Sequence, residues 1–249
     1  MKLIPNTTDL TDIDCHIHSP FSPDARGCGA DEPQVIADRV RAKGLKGFIV
    51  TDHVDVGYWD GYIIDFDKYF DEWQRVRDDN PDLTIYIGLE VGFDIRHASE
   101  TAKLIKSLPL EYVINSVHNW DHPVPAPEGV PPYLTYLQAI RQSLDADYDF
   151  STIGHIGFLE RYIHTPMQYA EYKDVMDDII KTAVARRVRI EANTNAHYPP
   201  CTPREDFLRA YKAAGGVRPV LGSDAHTSDK IAQRFAEATE FLDGVFGKD

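Results

Sequence analysis

Seven short apolar segments, rich in Ile, Val, Tyr and Phe, recur along the chain, and longer segments with helical periodicity separate them. Their composition is typical of β-strands. Strands that alternate with helices form βαβ units, and their repetition predicts an α/β protein with a closed or nearly closed parallel barrel. The predicted strands are residues 12–18, 47–52, 84–92, 112–118, 150–154, 188–193 and 219–223.

The predicted helices have apolar side chains spaced to share one face, and these are interpreted as core rather than as a cofactor site. In the first helix, Asp31 is expected to cap the N-terminus and Pro33 fits the first turn. Gln34 stands at the capping-box position, and Gly44 is a stop signal. The predicted helices are residues 31–44, 65–80, 168–187, 203–214 and 228–246.

The length of 249 residues suits one α/β barrel, and no break in composition divides the chain, so residues 1–249 are expected to form one domain. No apolar run approaches the ~18 residues of a membrane-spanning helix, and the first residues do not resemble a signal peptide. We therefore expect no membrane association and a cytoplasmic location. Cys15, Cys28 and Cys201 provide no disulfide framework and are expected to be free thiols.

The formal net charge of −14 argues against nucleic acid as a partner, because an acidic protein repels phosphate backbones over long range. Carboxylates gathered around divalent cations are locally neutralised, however. A small anionic substrate is therefore compatible with this charge if metal ions supply the positive field. The sequence makes no prediction of the oligomeric state.

Potential metal ligands stand at the ends of almost all predicted strands. The C-terminal ends of parallel barrel strands meet at one mouth, so these side chains are expected to converge there. A single buried His is more often a core or capping residue than a ligand, but five of the seven strands end in His, which favours a shared metal site. The strand-end residues are His16, His18, Asp52, His53, Glu90, His118, His155, Asp224 and His226.

The first strand also places its residues by alternation, because side chains at i and i+2 share a face. Asp14, His16 and His18 are expected on the face toward the barrel mouth. Ile13, Cys15 and Ile17 are expected to pack on the helical layer. Cys15 is therefore predicted to be a core residue rather than a ligand.

The ligand types indicate both the metal and the chemistry. Imidazole combined with carboxylate suits Zn, Mn or Fe better than Ca or Mg, and without a thiolate the set does not form a closed structural zinc site. The ligands outnumber what one ion can use, so two or three divalent ions are expected, with Glu90 able to bridge two of them. Such sites activate water and hold the attacking and leaving oxygens of a phosphoryl displacement.

These residues together resemble the polymerase and histidinol phosphatase (PHP) family over nearly the whole chain. Each fragment of the family pattern is weak alone, but all six in order are specific. The fragments are His16-Ile-His18-Ser19, Thr51-Asp52-His53, Gly88-Leu-Glu90, Ser116-Val-His118, Gly154-His155 and Ser223-Asp224-Ala-His226.

The resemblance implies a distorted seven-stranded (β/α) TIM-like barrel with up to three metal ions. His16, His18, Glu90 and Asp224 would hold the first ion, and Glu90, His118 and His155 the second. His53 and His226 would hold the third, together with a residue just after the first motif. Some relatives have a His there, whereas this chain offers Asp24, which could instead be a turn residue.

Within the family, the chain most resembles the histidinol-phosphate phosphatases in residues 148–162 and at Glu191-Ala-Asn193-Thr194. The implied reaction is hydrolysis of L-histidinol phosphate in histidine biosynthesis, with Glu90 and Asp224 at the catalytic metals. Arg161 is predicted to hold phosphate oxygens, the alternative being a surface salt bridge. His197 is predicted to donate a proton to the leaving oxygen or to bind substrate, and its alternative is a surface His.

Two rival functions remain open at this point. The same ligands could serve a phosphodiesterase or exonuclease acting on nucleotides, against which the net acidity counts. The barrel could also be a non-catalytic structural or regulatory domain, although none of the core motifs is degraded. A Pro-rich segment, residues 121–132, is either a lid over the site or a passive surface loop.

Overall fold

Parallel strands form the centre of the molecule in the computed structural model, which describes residues 3–58, 63–118 and 132–248. They pair in the order β1-β2-β4-β5-β6-β7-β8, and the short β3 pairs with β4. Ile17 forms a parallel bridge to Ala225, just after the last strand, so the barrel is nearly closed. The strands are β1 (Ile13–Ile17), β2 (Gly47–Val50), β3 (His53–Val54), β4 (Thr84–Gly92), β5 (Tyr112–Ser116), β6 (Thr152–Ile153), β7 (Arg189–Asn193) and β8 (Val220–Gly222).

Helices surround the strands and include all five predicted ones. None of the helices in the described ranges combines the length and apolarity needed to cross a membrane. The helices are α1 (Pro23–Gly27), α2 (Pro33–Ala42), α3 (Phe66–Asp79), α4 (Ala98–Ser107), α5 (Pro132–Ser143), α6 (Glu160–Ile163), α7 (Lys173–Arg186), α8 (Glu205–Ala213) and α9 (Phe235–Phe246), with 3-10 turns at Tyr169–Tyr172 and Ser228–Lys230. The predicted α/β barrel is thus confirmed, whereas residues 121–131 of the Pro-rich segment lie outside the described residues.

The prediction that Asp31 caps α2 is wrong. The N-cap is Glu32, which makes no side-chain cap hydrogen bond, while Pro33 does occupy the first turn. Asp31 Oδ2 instead accepts the backbone N–H of Ser228 at 2.9 Å, so this carboxylate joins α2 to the segment after β8. A side-chain oxygen can satisfy a distant backbone donor as well as a local one, and the sequence pattern does not distinguish them.

Helix α3 shows how the outer layer packs on the barrel. Asp65 caps it by accepting the backbone N–H of Lys68 at 3.2 Å. Its aromatic residues Tyr69 and Trp73 are fully buried. Trp73 meets Phe48 of β2 edge to face at 5.7 Å, and the hydroxyl of Tyr69 donates to Gly88 O of β4 at 2.8 Å. The predicted apolar face is therefore confirmed as core.

A β-bulge in β1 overturns the predicted alternation of this strand. Asp14 pairs with Phe48 and Ile17 with Val50, so three steps along β1 oppose two along β2. Ile13 and Cys15 pack together in a small apolar cluster with Ile49, Tyr112, Ile114 and Val220, separate from the main helical-layer core. Cys15 is a core residue as predicted, but on the face opposite to the one expected, because the extra residue reverses the alternation.

The side chain of Asp14 lies away from the two histidines that the alternation grouped with it. Its carboxylate accepts the backbone N–H of Ser223 at 2.9 Å and that of Ala232 at 3.0 Å. The bulge permits this arrangement, since Cys15 and His16 no longer have to occupy opposite faces. Asp14 therefore ties β1 to the end of β8 and does not enter the site.

Candidate metal centre

Glu90, at the end of β4, lies at the centre of a cluster of imidazole rings, and its side chain is 0% exposed. Its Oε1 is 2.9 Å from Nε2 of His155 and 3.1 Å from Nε2 of His118. The hydroxyl of Ser116 also donates to Oε1 at 2.7 Å. Strands β4, β5 and β6 thus bring these residues together at one end of the barrel.

The second oxygen of Glu90, Oε2, faces a different group of rings. It is 3.1 Å from Nε2 of His16, 3.2 Å from Nδ1 of His53 and 3.4 Å from Nε2 of His18. Despite these neighbours, Oε2 forms no hydrogen bond within the described residues. Nε2 of His16 and Nε2 of His18 also face each other at 3.0 Å. A buried carboxylate oxygen and several ring nitrogens that converge without satisfying one another form a donor set that fits divalent cations.

Asp224 approaches the same group of rings from the segment after β8. Its Oδ1 is 3.2 Å from Nε2 of His18 and 3.6 Å from Nε2 of His16. The backbone of Asp224 is left-handed, with a φ of 52°. A non-glycine residue in this region costs free energy and occurs preferentially at functional sites, which agrees with the position of Asp224 in the cluster.

Asp24, from helix α1, lies beside two further imidazoles of the cluster. Its Oδ2 is 2.9 Å from Nε2 of His226 and 3.1 Å from Nε2 of His53. Partial burial favours the neutral acid, but the hydrogen bonds from His226 and His53 outweigh it and hold the pKa of Asp24 well below its usual range. Asp24 is thus an ionised carboxylate next to both histidines with which the resemblance grouped it.

The described residues contain four groups of three side chains whose donor atoms lie within 4.8 Å of one another. Because the groups share members, they are one continuous cluster rather than separate sites. Divalent metal binding is therefore the chemistry that the cluster supports. The groups are His18 with His53 and His226; His16 with His18 and Glu90; His53 with Asp55 and His118; and Glu90 with His118 and His155.

Electrostatics within the cluster divide the imidazoles into two kinds. Burial, together with the neighbouring rings of His226 and His53, lowers the pKa of His18 to about 3, so this ring is neutral and able to bind a metal. Burial also opposes the charged form of His118, but the carboxylates of Asp55 and Glu90 outweigh it and raise the pKa of His118 to about 9. Without a cation, protonated imidazoles thus balance the buried carboxylates.

Asp52 was expected among the strand-end ligands, but it faces away from the cluster. Its Oδ1 accepts the backbone N–H of Ser19 at 2.7 Å and the hydroxyl of Ser22 at 2.6 Å. Its Oδ2 accepts the hydroxyl of Ser19 at 2.6 Å. The break between β2 and β3 separates Asp52 from His53, and its carboxylate holds the segment after β1 in place.

Two carboxylates that the sequence did not predict as site residues touch histidines of the cluster. Asp55 Oδ1 accepts a hydrogen bond from Nδ1 of His118 at 2.7 Å. Glu191 Oε1 accepts one from Nδ1 of His16 at 2.6 Å, and Oε2 accepts the backbone N–H of His155 at 2.7 Å. The available signal was their alternation: Asp55 follows His53 by two residues, and Glu191 precedes the inward Asn193 by two.

A cavity of about 740 Å³ opens over the cluster. Arg161 lies in its wall, where Nη2 donates to Asp224 Oδ2 at 2.6 Å and to Asn193 Oδ1 at 3.0 Å. The guanidinium also lies 5.2 Å from the ring of Phe158, which itself stacks on His155. The salt bridge proposed as the alternative for Arg161 does exist, but it is made with a carboxylate of the site.

The structure does not bring His197 into this cavity wall. The ring of His197 is exposed and lies against His164, with 3.4 Å between their Nδ1 atoms, and against Tyr198, with 4.6 Å between ring centroids. Its predicted contact with the leaving group therefore has no geometric support within the described residues. His122, in the Pro-rich segment, lies outside them.

Comparisons with known proteins identify a family and several relatives of this chain. The family model described as PHP domain matches residues 14–195. Histidinol-phosphatase of Lactococcus lactis is 28% identical over 238 residues, which cover 88% of this chain and 85% of that protein. A probable histidinol-phosphatase of Clostridium acetobutylicum is 25% identical over 248 residues, covering 93% of this chain and 92% of the relative.

Solved structures show the same fold. The Lactococcus lactis histidinol phosphate phosphatase, crystallised with zinc, L-histidinol and phosphate, superposes with a TM-score of 0.80 at 24% identity, covering 92% of this chain and 93% of that one. A putative histidinol phosphatase of Listeria monocytogenes superposes with a TM-score of 0.75 at 17% identity, covering 90% of this chain and 99% of that one.

Proposed function

This chain belongs to the PHP domain family, and on that premise we propose that it is a metal-dependent phosphomonoesterase that hydrolyses L-histidinol phosphate to L-histidinol and phosphate. One observation carries the proposal: imidazoles from separate strands converge on both oxygens of Glu90. The similarity to histidinol phosphatases over most of the chain supports the choice of substrate. Histidine biosynthesis is the corresponding pathway.

The cluster has enough donors for two or three ions of Zn, Mn or Fe, arranged as the family pattern implies. His16, His18, Glu90 and Asp224 would hold one ion, and Glu90, His118 and His155 a second. His53, His226 and Asp24 would hold a third, which the distances of 3.1 Å and 2.9 Å from Asp24 Oδ2 to Nε2 of His53 and of His226 support. Bound ions of this kind supply a water-derived nucleophile at neutral pH and compensate charge on the phosphoryl oxygens.

Arg161 is proposed to hold the substrate's non-bridging phosphate oxygens. Within the described residues, its hydrogen bonds to Asp224 and Asn193 use Nη2 alone, so its Nη1 donors are available to a second anion. A planar guanidinium suits phosphate because it presents parallel N–H donors. The bond to Asp224 also fixes Arg161 beside the proposed metal ligands, so one side chain would orient the phosphate relative to them.

The remainder of the cavity wall suits the leaving group. Tyr58, Phe158 and Tyr162 line the cavity, and such rings pack well against a planar heterocycle such as the imidazole of histidinol. Proton donation by His197 stays a prediction, to be tested by the effect of His197→Ala on kcat.

Steady-state kinetics of the metal-loaded protein test the proposal. L-histidinol phosphate should exceed glycerol phosphate in kcat/KM by roughly 100-fold, the order of discrimination that pocket contacts provide. A chromogenic phosphodiester and a nucleotide diester complete the panel. A preference for either diester would replace the proposal with the phosphodiesterase or exonuclease function. No turnover of any ester after Mn or Zn addition would favour a non-catalytic domain.

A further inference from the structure

Asp55 and Glu191 each contact the far side of an imidazole that faces Glu90. Both carboxylates are buried, with 4% and 1% of their side chains exposed. Asp55 accepts from Nδ1 of His118 at 2.7 Å, and Nε2 of the same ring is 3.1 Å from Glu90 Oε1. Glu191 accepts from Nδ1 of His16 at 2.6 Å, and Nε2 of that ring is 3.1 Å from Glu90 Oε2.

A carboxylate in this position fixes the ring and its tautomer. With the proton held on Nδ1, the lone pair of Nε2 points at the place where a metal would bind. The two supported rings reach opposite oxygens of Glu90, and they belong to different ligand groups. The two carboxylates therefore support different metal positions.

Strand glycines provide the space for both carboxylates. A Cβ atom at Gly92 would lie 1.7 Å from Asp55 Oδ1 and 3.1 Å from Nδ1 of His118. A Cβ atom at Gly222 would lie 2.1 Å from Glu191 Oε1 and 2.7 Å from the Cβ of His16. Neither glycine has a positive φ, so its function here is the missing side chain rather than backbone freedom.

We propose that Asp55 and Glu191 are positioning residues that set the affinities of two different metal ions. Asp55 acts through His118 and Glu191 through His16, and each carboxylate packs against a strand glycine. The inference rests on the proposed metal-dependent function. Glu191 is held at both oxygens, by the backbone N–H of His155 at 2.7 Å and by Asn193 Nδ2 at 3.1 Å, so its orientation does not depend on the metal.

The first experiment measures Zn²⁺ affinity by chelator competition for the full chain and for Asp55→Asn and Glu191→Gln, which preserve side-chain volume. Each variant should bind one class of Zn²⁺ about 10 to 100 times more weakly and leave the other class unchanged. Asp94→Asn and Glu160→Gln are matched controls. Both are buried carboxylates that bond Arg96 and the backbone of Met167 instead, and their Zn²⁺ affinities should equal that of the wild type.

Double-variant cycles identify the histidine through which each carboxylate acts. In a His118→Ala background, most of the effect of Asp55→Asn on Zn²⁺ affinity should disappear, whereas Glu191→Gln should still weaken binding. Any remaining effect of Asp55→Asn would come from its second contact, in which Oδ2 lies 3.4 Å from Nδ1 of His53. In a His16→Ala background, Glu191→Gln should have no further effect on Zn²⁺ affinity, whereas Asp55→Asn should still weaken it. A carboxylate that merely stabilised the fold would weaken binding in both backgrounds.

Gly92→Ala tests the packing of Asp55 against this glycine without altering any donor atom. Its methyl group should displace the carboxylate and reproduce the affinity loss of Asp55→Asn. If Gly92→Ala does not fold, the two carboxylate variants still decide the question. Thermal unfolding of the metal-free proteins establishes which variants are folded.

The outcomes separate this inference from the proposed function. A wild-type chain that binds no Zn²⁺ would overturn both. Wild-type binding that Asp55→Asn and Glu191→Gln leave intact would overturn the positioning role alone. Loss of both variants' effects in the same histidine background would also overturn the positioning role, because the two carboxylates would then act on one ion.

Discussion

At the residue scale, Glu90 connects the two halves of the cluster, since its two oxygens face different imidazoles. Removing either Glu90 or His118 should therefore disable the site without unfolding the protein, as both lie near the ends of their strands. Glu90→Ala and His118→Ala are each expected to reduce kcat/KM by more than the roughly 100-fold that loss of a supporting residue costs. Near-normal turnover by either folded variant would contradict the ligand assignment.

The protonation of His118 predicts how metal binding depends on pH. Since its pKa is raised to about 9 by Asp55 and Glu90 against the effect of burial, the ring is protonated at neutral pH in the metal-free protein. Zn²⁺ must displace that proton, so binding at pH 7.5 should release protons, and the release should decline above about pH 9. Calorimetric titration in two buffers of different ionisation enthalpy measures this.

The same shift stabilises the metal-free fold. A raised imidazole pKa contributes stability that is fully present below its ordinary value of about 6.5 and is lost as the pH rises through about 9. In the calorimetric titration, a binding enthalpy at pH 7.5 that is the same in both buffers would show that His118 is already neutral.

The sequence predicted most residues of the cluster, but not the carboxylates that contact its histidines from behind. His16, His118 and His155 could be found because each lies at or just after the end of a recognisable strand, and the ends of parallel strands meet. Asp55 and Glu191 were not predicted as site residues because their contacts depend on facing histidines far along the chain. Asp52 shows the reverse error: it stands at a strand end, but three hydrogen bonds from Ser19 and Ser22 turn it away.

At the element scale, outer helices hold the strand ends in place through a few large side chains. Trp73 of α3 is fully buried against Phe48 of β2. Trp73→Ala should destabilise the protein by about 3–5 kcal/mol in urea unfolding, because it removes a large buried ring and leaves a cavity. Zn²⁺ stoichiometry of the folded variant should not change.

The control lies on the opposite face of the same helix. Asp71 is exposed, and Asp71→Ala should change the free energy of unfolding by no more than about 0.5 kcal/mol. Equal effects of the two substitutions would contradict the packing described for α3.

The strands show where sequence periodicity loses accuracy. Strand β4 has the predicted bounds, whereas β1 contains a bulge that alternation does not reveal. The predicted strand 47–52 ends at Val50, and a separate short strand, His53–Val54, pairs with β4. A single inserted residue reverses the face of its neighbours, so the identity of strands was predictable but not the orientation of every side chain.

At the scale of the whole molecule, the buried cluster makes stability depend on metal. The residues of the cluster come from segments throughout the chain, so the unfolded state offers no comparable site. Chelation should lower the melting temperature, and added Zn²⁺ or Mn²⁺ should restore it. At a free metal concentration about 1,000 times the Kd, the expected stabilisation is about 4 kcal/mol. A melting temperature that is insensitive to chelator would contradict this.

The general architecture was predictable because strand and helix periodicities recur throughout the sequence. Closure of the barrel was not visible in any one segment, since it depends on Ala225 pairing with Ile17 across the whole chain. The position of Arg161 was only partly predictable from the sequence. Its place after β6 indicated the mouth of the barrel, but its bond to Asp224 depends on the turn after β8.

The most direct test of the metal centre is anomalous diffraction from crystals of the Zn²⁺- or Mn²⁺-loaded protein. Two or three anomalous peaks are expected within the cluster, with both oxygens of Glu90 in contact with metal and His16 and His118 on different ions. Ions bound only elsewhere on the protein, or a Glu90 carboxylate with no metal beside it, would contradict the claim that these strand ends form a catalytic metal centre.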